Sequence, residues 1–157
     1  MNFIANLVKV MYQKNVYMKL LVVCCLVFSL FSFQNSVEST ASGTGIKFSS
    51  ATIQKAIKQA KSSGKLVFVD VYTTWCGPCK NLAATTFKDS KVGTYFNKNF
   101  INIKVDAENS ESGAIVQKAY HVNAYPTLLF IDGEGKLVKK LVGFQTAEKL
   151  LSIAQNL

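Results

Sequence analysis

The chain contains no arginine. Its positive charge rests entirely on 18 lysines, set against 9 acidic residues, for a formal net charge of +9. Nucleic-acid binders lean on bidentate arginine forks and on aromatic platforms. Neither pattern occurs, so no nucleic-acid partner is expected. Lys136, Lys139 and Lys140 form a short cluster that reads as a solvated face, with acidic partners as the sharper alternative. Histidine is almost missing. His121, the single one, follows Tyr120 at the end of a helical pattern, where a surface or helix-end position is expected. Cysteine is scarce, and Cys24 and Cys25 lie in an N-terminal apolar run. Without that run only Cys76 and Cys79 remain. Two thiols and one imidazole fall short of the roughly four ligands of a zinc site, so no metal is expected, and there is no framework of structural disulfides. No glycine-rich dinucleotide loop is present, so no nicotinamide or flavin cofactor is expected either.

The apolar run Leu20–Phe33 is short for a membrane span of ~20 residues and suits the core of a signal peptide. Lys9, Lys14 and Lys19 supply its positive flank. Met18-Lys19-Leu20-Leu21 is an orderly start in itself, which makes residues 1–17 an upstream extension from a mis-called start codon. Small residues at Ser39 and Ala41 place cleavage after Ala41, with Val37-Glu38-Ser39 as a second candidate. A retained anchor through residues 20–33, or lipidation at Cys24 or Cys25, is the alternative. Residues 1–41 are thus a leader or anchor and 42–157 a single domain, exported to the periplasm or cell envelope.

Residues 36–45 are rich in Ser, Thr and Gly and read as a linker. Ser50 is placed to cap a helix running to Ser62, with Ile53, Ala56, Ile57 and Ala60 on one face and Gly64 ending it. Residues 66–72, Leu-Val-Phe-Val-Asp-Val-Tyr, form a strand without clean alternation, as expected for burial on both faces. A helix begins at Gly77–Pro78 and runs toward Phe87. Asp89 or Ser90 caps another, carrying Val92, Tyr95 and Phe96 at core spacing. Phe100–Val105 is a strand. Ser110 or Ser112 starts a helix with Ile115, Val116, Ala119 and Tyr120 as its apolar positions. Thr127–Ile131 and Lys136–Val142 flank the turn Asp132-Gly133-Glu134-Gly135, a hairpin signal. Ala147, Leu150, Leu151 and Ala154 line the last helix. Strands and helices alternate first and a hairpin follows: an α/β sandwich.

Trp75-Cys76-Gly77-Pro78-Cys79-Lys80 carries the chemistry. A strand that ends here and turns into a helix gives Cys76 the helix N-terminus, where free N–H groups and the positive dipole end favour thiolate over thiol. Cys79 follows one turn on, on the same face, near enough to close a small disulfide. Pro78 suits the first helical turn, where no hydrogen-bond donor is needed, and stiffens the loop between the sulfurs. Thiolate attacks disulfide sulfur, so Cys76 is the expected nucleophile and Cys79 the resolving thiol. Asp70, a carboxylate in an apolar strand, is expected to have a raised pKa unless it finds a partner.

The hexapeptide matches the active-site signature of the thioredoxin family, and the chain resembles that family over roughly Phe48 to Leu157. Asp70 stands six residues before Cys76, where the family has its buried aspartate. Ala124-Tyr125-Pro126-Thr127 matches the loop that holds its cis-proline, and Gly143 matches the glycine bordering its substrate groove. The longer spacing from Cys79 to Ile103, through Phe87-Lys88-Asp89-Ser90-Lys91-Val92, resembles exported members, including the C-terminal domain of the periplasmic disulfide-interchange reductase. The resemblance implies a thioredoxin-like α/β fold, a central mixed sheet flanked by helices on both faces. It implies a thiol–disulfide oxidoreductase, a disulfide reductase with a Cys-Gly-Pro-Cys dithiol, in which Cys76, Cys79 and Asp70 are catalytic. Trp75, Gly77, Pro78, Tyr125, Pro126, Thr127 and Gly143 would then bind substrate. Asp70 would take the proton of Cys79. Counted back from Asp106, the position of the family's lysine facing this aspartate holds Asn102, with Lys104 two residues on as the other candidate. No cofactor beyond the Cys76–Cys79 disulfide is implied. Implied partners are disulfide-containing proteins and a membrane-bound electron donor, with the chain itself a monomer. A redox-regulated binding module, and an oxidase or isomerase on the same fold, are the alternative functions.

Overall fold

A computed structural model describes residues 45–157. The leader, its alternative anchor at 20–33, the cleavage sites near Ala41, the start at Met18 and the lipidation candidates Cys24 and Cys25 lie outside the described residues. Among the described residues no helix is long and apolar enough to cross a membrane.

The elements are α1 (Ile53–Ser63), β1 (Leu66–Tyr72), α2 (Gly77–Ala84), a 3-10 turn (Thr86–Lys88), α3 (Ser90–Asn99), β2 (Phe100–Asp106), α4 (Gly113–Tyr120), β3 (Thr127–Ile131), β4 (Leu137–Val142) and α5 (Ala147–Ala154). The four strands form one mixed sheet in the order β2-β1-β3-β4. β1 is parallel to β2 and antiparallel to β3, and β3 is antiparallel to β4.

β1 explains the architecture. It is an interior strand, and Val67 to Val71 are all buried. Side chains alternate between the faces of a strand. Val67, Val69 and Val71 therefore face one way and pack with Ile53, Ala56 and Ala60 of α1 and Val116 of α4. Phe68 faces the other way and packs with Leu82 of α2, Val92 and Phe96 of α3, and Leu150 and Ala154 of α5. Both sheet faces are thus covered by helices. Fully burying a side chain such as Phe68 contributes roughly 1.5–3 kcal/mol.

Helix starts follow local side-chain chemistry. Thr52, not Ser50, caps α1, its hydroxyl accepting from the Lys55 N–H at 3.4 Å. Ser49 instead accepts from the Ala51 N–H, holding the turn just ahead. Gly64 ends α1 in the left-handed conformation, φ 69°. Asp89 caps α3, accepting from the N–H groups of Lys91 and Val92. Ser112 stands at the N-cap of α4, but its hydroxyl accepts from the Ile53 N–H and so ties α4 to α1. On α4 the apolar positions Ile115 and Ala119 are exposed, and Gly113 and Val116 face the sheet. The helix is short and meets the aliphatic cluster through Gly113, Val116 and Tyr120, so its outer apolar positions are not needed by the core. His121 ends α4 as an exposed C-cap with φ 51°.

Candidate active site

The strand directions gather one set of loops at one end of the sheet. Tyr72 ends β1 opposite Asp106, which ends β2. Val71 pairs with Thr127, the start of β3, and Thr127 pairs with Val142, the end of β4. The loops leading to Cys76, Glu108, Pro126 and Gly143 therefore share that end.

Cys76 is the N-cap residue of α2, in extended backbone conformation, and Pro78 sits in the first turn. Its Sγ accepts from the Cys79 N–H at 3.1 Å, and its own N–H donates to the Thr73 carbonyl at 3.3 Å. Cys76 and Cys79 are joined by a disulfide with their Cα atoms 5.3 Å apart. The helix end and the N–H directed at Sγ would stabilise a thiolate on Cys76 once the bond is reduced. In the bonded state both cysteines are buried. Gly77, Pro78 and Lys80 are exposed, so the helix start faces solvent.

Trp75 is 65% exposed beside the disulfide. Its indole N–H donates to both carboxylate oxygens of Glu108, 3.1 Å to each. Its ring meets that of Tyr125 edge-on, centroids 6.1 Å apart. The Tyr125 hydroxyl in turn donates to Gln117 Oε1 at 3.0 Å. Partial burial, then the carboxylates of Glu108 and Asp106, push the Tyr125 phenol up, so it stays a neutral donor. Glu108 and Gln117 were not among the residues singled out from the sequence. Both act through contacts distant in sequence, and neither lies in a recognisable motif.

The Tyr125–Pro126 peptide bond is cis. Thr127 Oγ1 donates to the Ala124 carbonyl at 2.7 Å, closing the loop. The Gly143 N–H donates to the Pro126 carbonyl at 2.8 Å. Gly143 has φ 84°, and a Cβ there would meet open space. Its glycine is thus required by backbone conformation, while the space above it is free. Val142 and Phe144, on either side, are both exposed.

Asp70 is fully buried. It shares a β1 face with Phe68, the face covered by α2. Cys79 and Leu82 are the buried positions of α2, so the Cys79 side chain and the carboxyl lie between the same helix and sheet. Lys104, not Asn102, faces the carboxyl. Lys104 is the register partner of Asp70, and its Nζ lies 3.3 Å from Oδ2. Asn102 is opposite Phe68 and donates instead to the Phe96 carbonyl. Burial pushes the Asp70 carboxyl up to about 6, against the opposing attraction of Lys104. Its Oδ1 has no hydrogen-bond partner among the described residues.

Comparison with known proteins gives one consistent result. Residues 53–157 match the family described as Thioredoxin-like domain. Thioredoxin-1 of Saccharomyces cerevisiae is 42% identical over 97 residues, covering 62% of this chain and 86% of the yeast protein. The thiol:disulfide interchange protein DsbD of Yersinia pestis is 34% identical over 100 residues, 62% of this chain. The match spans only 17% of that longer protein. Among solved structures, a candidate disulphide-isomerase from Bacteroides thetaiotaomicron superposes with a TM-score of 0.63 at 48% identity, covering 73% of this chain and 94% of that one.

Proposed function

This chain belongs to the thioredoxin-like family, and from that premise we propose that it is a thiol–disulfide oxidoreductase of the cell envelope that reduces disulfides in proteins. The observation that carries this is Cys76 at the N-cap of α2, its sulfur bonded to Cys79 and accepting the Cys79 N–H. Reduced Cys76 thiolate attacks one sulfur of a substrate disulfide. A Cys76–substrate disulfide forms, the substrate S–S bond breaks, and the second substrate sulfur leaves as thiolate. Cys79 passes its proton to the Asp70 carboxylate and attacks the Cys76 sulfur. The remaining substrate sulfur leaves as thiolate too, both take protons from solvent to give the dithiol, Asp70 returns its proton to solvent, and Cys76–Cys79 is oxidised. Two electrons have passed from the protein dithiol to the substrate. A membrane-bound dithiol protein restores the reduced form.

Trp75, Tyr125, Val142 and Phe144 give the site an apolar rim suited to extended polypeptide, and open Gly143 leaves room for a backbone. Gly77 and Pro78 are exposed beside this rim, whereas Pro126 and Thr127 are buried and would shape the substrate loop from beneath. An envelope location is supported by the leader-like run Leu20–Phe33 and by similarity to a thiol:disulfide interchange protein. The test is Cys79→Ala. It leaves the attacking thiol in place and removes the resolving one, so mixed disulfides with client proteins should accumulate through Cys76. Partners retained without a covalent link would instead make this a binding module.

A second reading, disulfide isomerase, is favoured by the 48% identity to the Bacteroides structure described under that activity. The two differ in potential alone, about 1.4 kcal/mol for each 30 mV. Titration of the Cys76–Cys79 pair against glutathione separates them.

A further inference from the structure

The Lys104 ammonium reaches Asp70 from a position it is free to leave. Its side chain is 33% exposed, against 2% for Asp70. It also lines a pocket of about 370 Å³ shared with Lys47, Phe48, Phe87 and Lys88. Water in that pocket would solvate an ammonium well, and a long lysine side chain loses rotamer freedom by staying on the carboxylate. Two rings oppose that escape. The Nζ lies 4.5 Å from the Tyr72 ring centroid and 5.6 Å from that of Phe48. Tyr72 is one alternation beyond Asp70 on the same strand face. Phe48 comes from the segment before α1, which is pinned to the 3-10 turn, to α3 and to the edge strand β2. Ile46 N–H donates to the Phe87 carbonyl, Lys47 N–H to Asn97 Oδ1, and Ser49 N–H to the Asn102 carbonyl, at 2.7, 2.8 and 2.8 Å. The ring of Phe48 is further fixed against Phe68 and Phe87.

We propose that Phe48 and Tyr72 form an aromatic clamp that holds the Lys104 ammonium on Asp70, and so act as positioning residues for the proton acceptor of Cys79. The catalytic part of this rests on the oxidoreductase function proposed above. A cation facing an aromatic ring within about 6 Å is held by the ring quadrupole, roughly a two- to fivefold bias at partly exposed sites. Two rings placed around one ammonium bias it toward the carboxylate. The charged and titratable groups around the pair are Tyr72 on β1, Lys104 itself and Asp106 on β2, Lys88 at the end of the 3-10 turn, Lys47 beside Phe48, and the cysteines of α2. Burial, then the charges of Asp106 and Asp70, push the Tyr72 phenol up, so it meets the ammonium as a neutral ring.

The test reads the Asp70 carboxyl directly, by carbon-13 NMR titration of the oxidised full chain, which needs no turnover. Phe48→Leu keeps apolar cover and removes the π face. It should displace the Asp70 midpoint upward, by a two- to fivefold change in proton affinity, about 0.3–0.7 pH unit. Tyr72→Leu should do the same, and Tyr72→Phe should leave the midpoint in place. Lys104→Met should give the largest upward displacement, and adding Phe48→Leu to it should add nothing. A midpoint that stays or falls in both single leucine variants overturns the clamp. So does a Phe48→Leu effect that persists without Lys104, because Phe48 would then act only as cover. The catalytic premise fails separately: resolution of the mixed disulfide would show no inflection at the wild-type Asp70 midpoint, while the NMR displacements would stand.

Discussion

The two faces of β1 differ in kind. One presents Val67, Val69 and Val71 to an aliphatic cluster with Ile103, Val105, Leu129 and Ile131. The other presents Phe68, Asp70 and Tyr72, in an environment of phenylalanine rings, a buried carboxyl and the helix that carries the cysteines. Those three valines have nothing to titrate and nothing to orient. Their contribution is area removed from water. On the aromatic face, rings meet at defined angles, as Phe68 does edge-on to Phe96 with centroids 4.7 Å apart. Such a wall holds its neighbours in fixed orientation, and there the chain keeps an ionisable group out of water. One strand thus divides its residues between stability and chemistry.

That division can be broken from either side. Cys76→Ser should have the largest effect on chemistry, a loss of disulfide reduction of roughly 10³-fold or more, with the reduced variant unfolding close to the reduced parent. An insulin-type turnover assay beside a urea melt checks both. Leu129→Ala on the aliphatic face should do the reverse. It should cost about 2–5 kcal/mol of stability through the cavity left behind, while the exchange rate of the folded fraction stays level.

Asp70→Asn falls between them and sharpens the contrast. The folded carboxyl titrates at about 6, above its ordinary value of 3.8. The native state therefore favours the protonated form. That advantage is full below the ordinary value and is lost as pH rises through about 6, above which the native state carries a charge burial disfavours. The asparagine variant should be more stable than the parent by ~1–3 kcal/mol at pH 8 and equal to it at about pH 4, as urea melts at the two pH values would show. Stopped-flow mixing with a model disulfide should show resolution slowed ~10–100-fold and the first attack much less affected. An unchanged resolution rate between about pH 6 and 8 would make Asp70 structural.

Glu108→Gln should have the smallest effect. It leaves an acceptor for the Trp75 indole and removes the charge, so client affinity should fall less than about fivefold. Trp75 fluorescence would report the altered contact.

Features set by neighbours in sequence were legible before the fold. The unbroken apolar run marked β1 as buried on both faces, Gly64 marked the end of α1, and Asp89 the start of α3. The Cys76-to-Cys79 turn followed from its own spacing and the Gly-Pro between. Features set by register were not legible. Whether Asn102 or Lys104 meets Asp70 depends on how β2 slides along β1, and a shift of two residues leaves the apolar pattern of β2 nearly unchanged. Counting back from Asp106 puts Asn102 at the family's lysine position and leaves Lys104 open, and the strand pairing selects Lys104. The partners of Trp75 and Tyr125 arrive from the loop after β2 and from α4, which no local pattern announces. Phe48 belongs to the same class, a residue ahead of the first helix that meets the site only once the edge of β2 is covered.

Brief alkylation of the reduced protein near neutral pH, followed by mass mapping, tests the central claim most directly. Cys76, at the N-cap of α2 with an N–H directed at its sulfur, should be labelled first and Cys79 spared. Equal labelling, or Cys79 first, would contradict the assignment of nucleophile and resolving thiol.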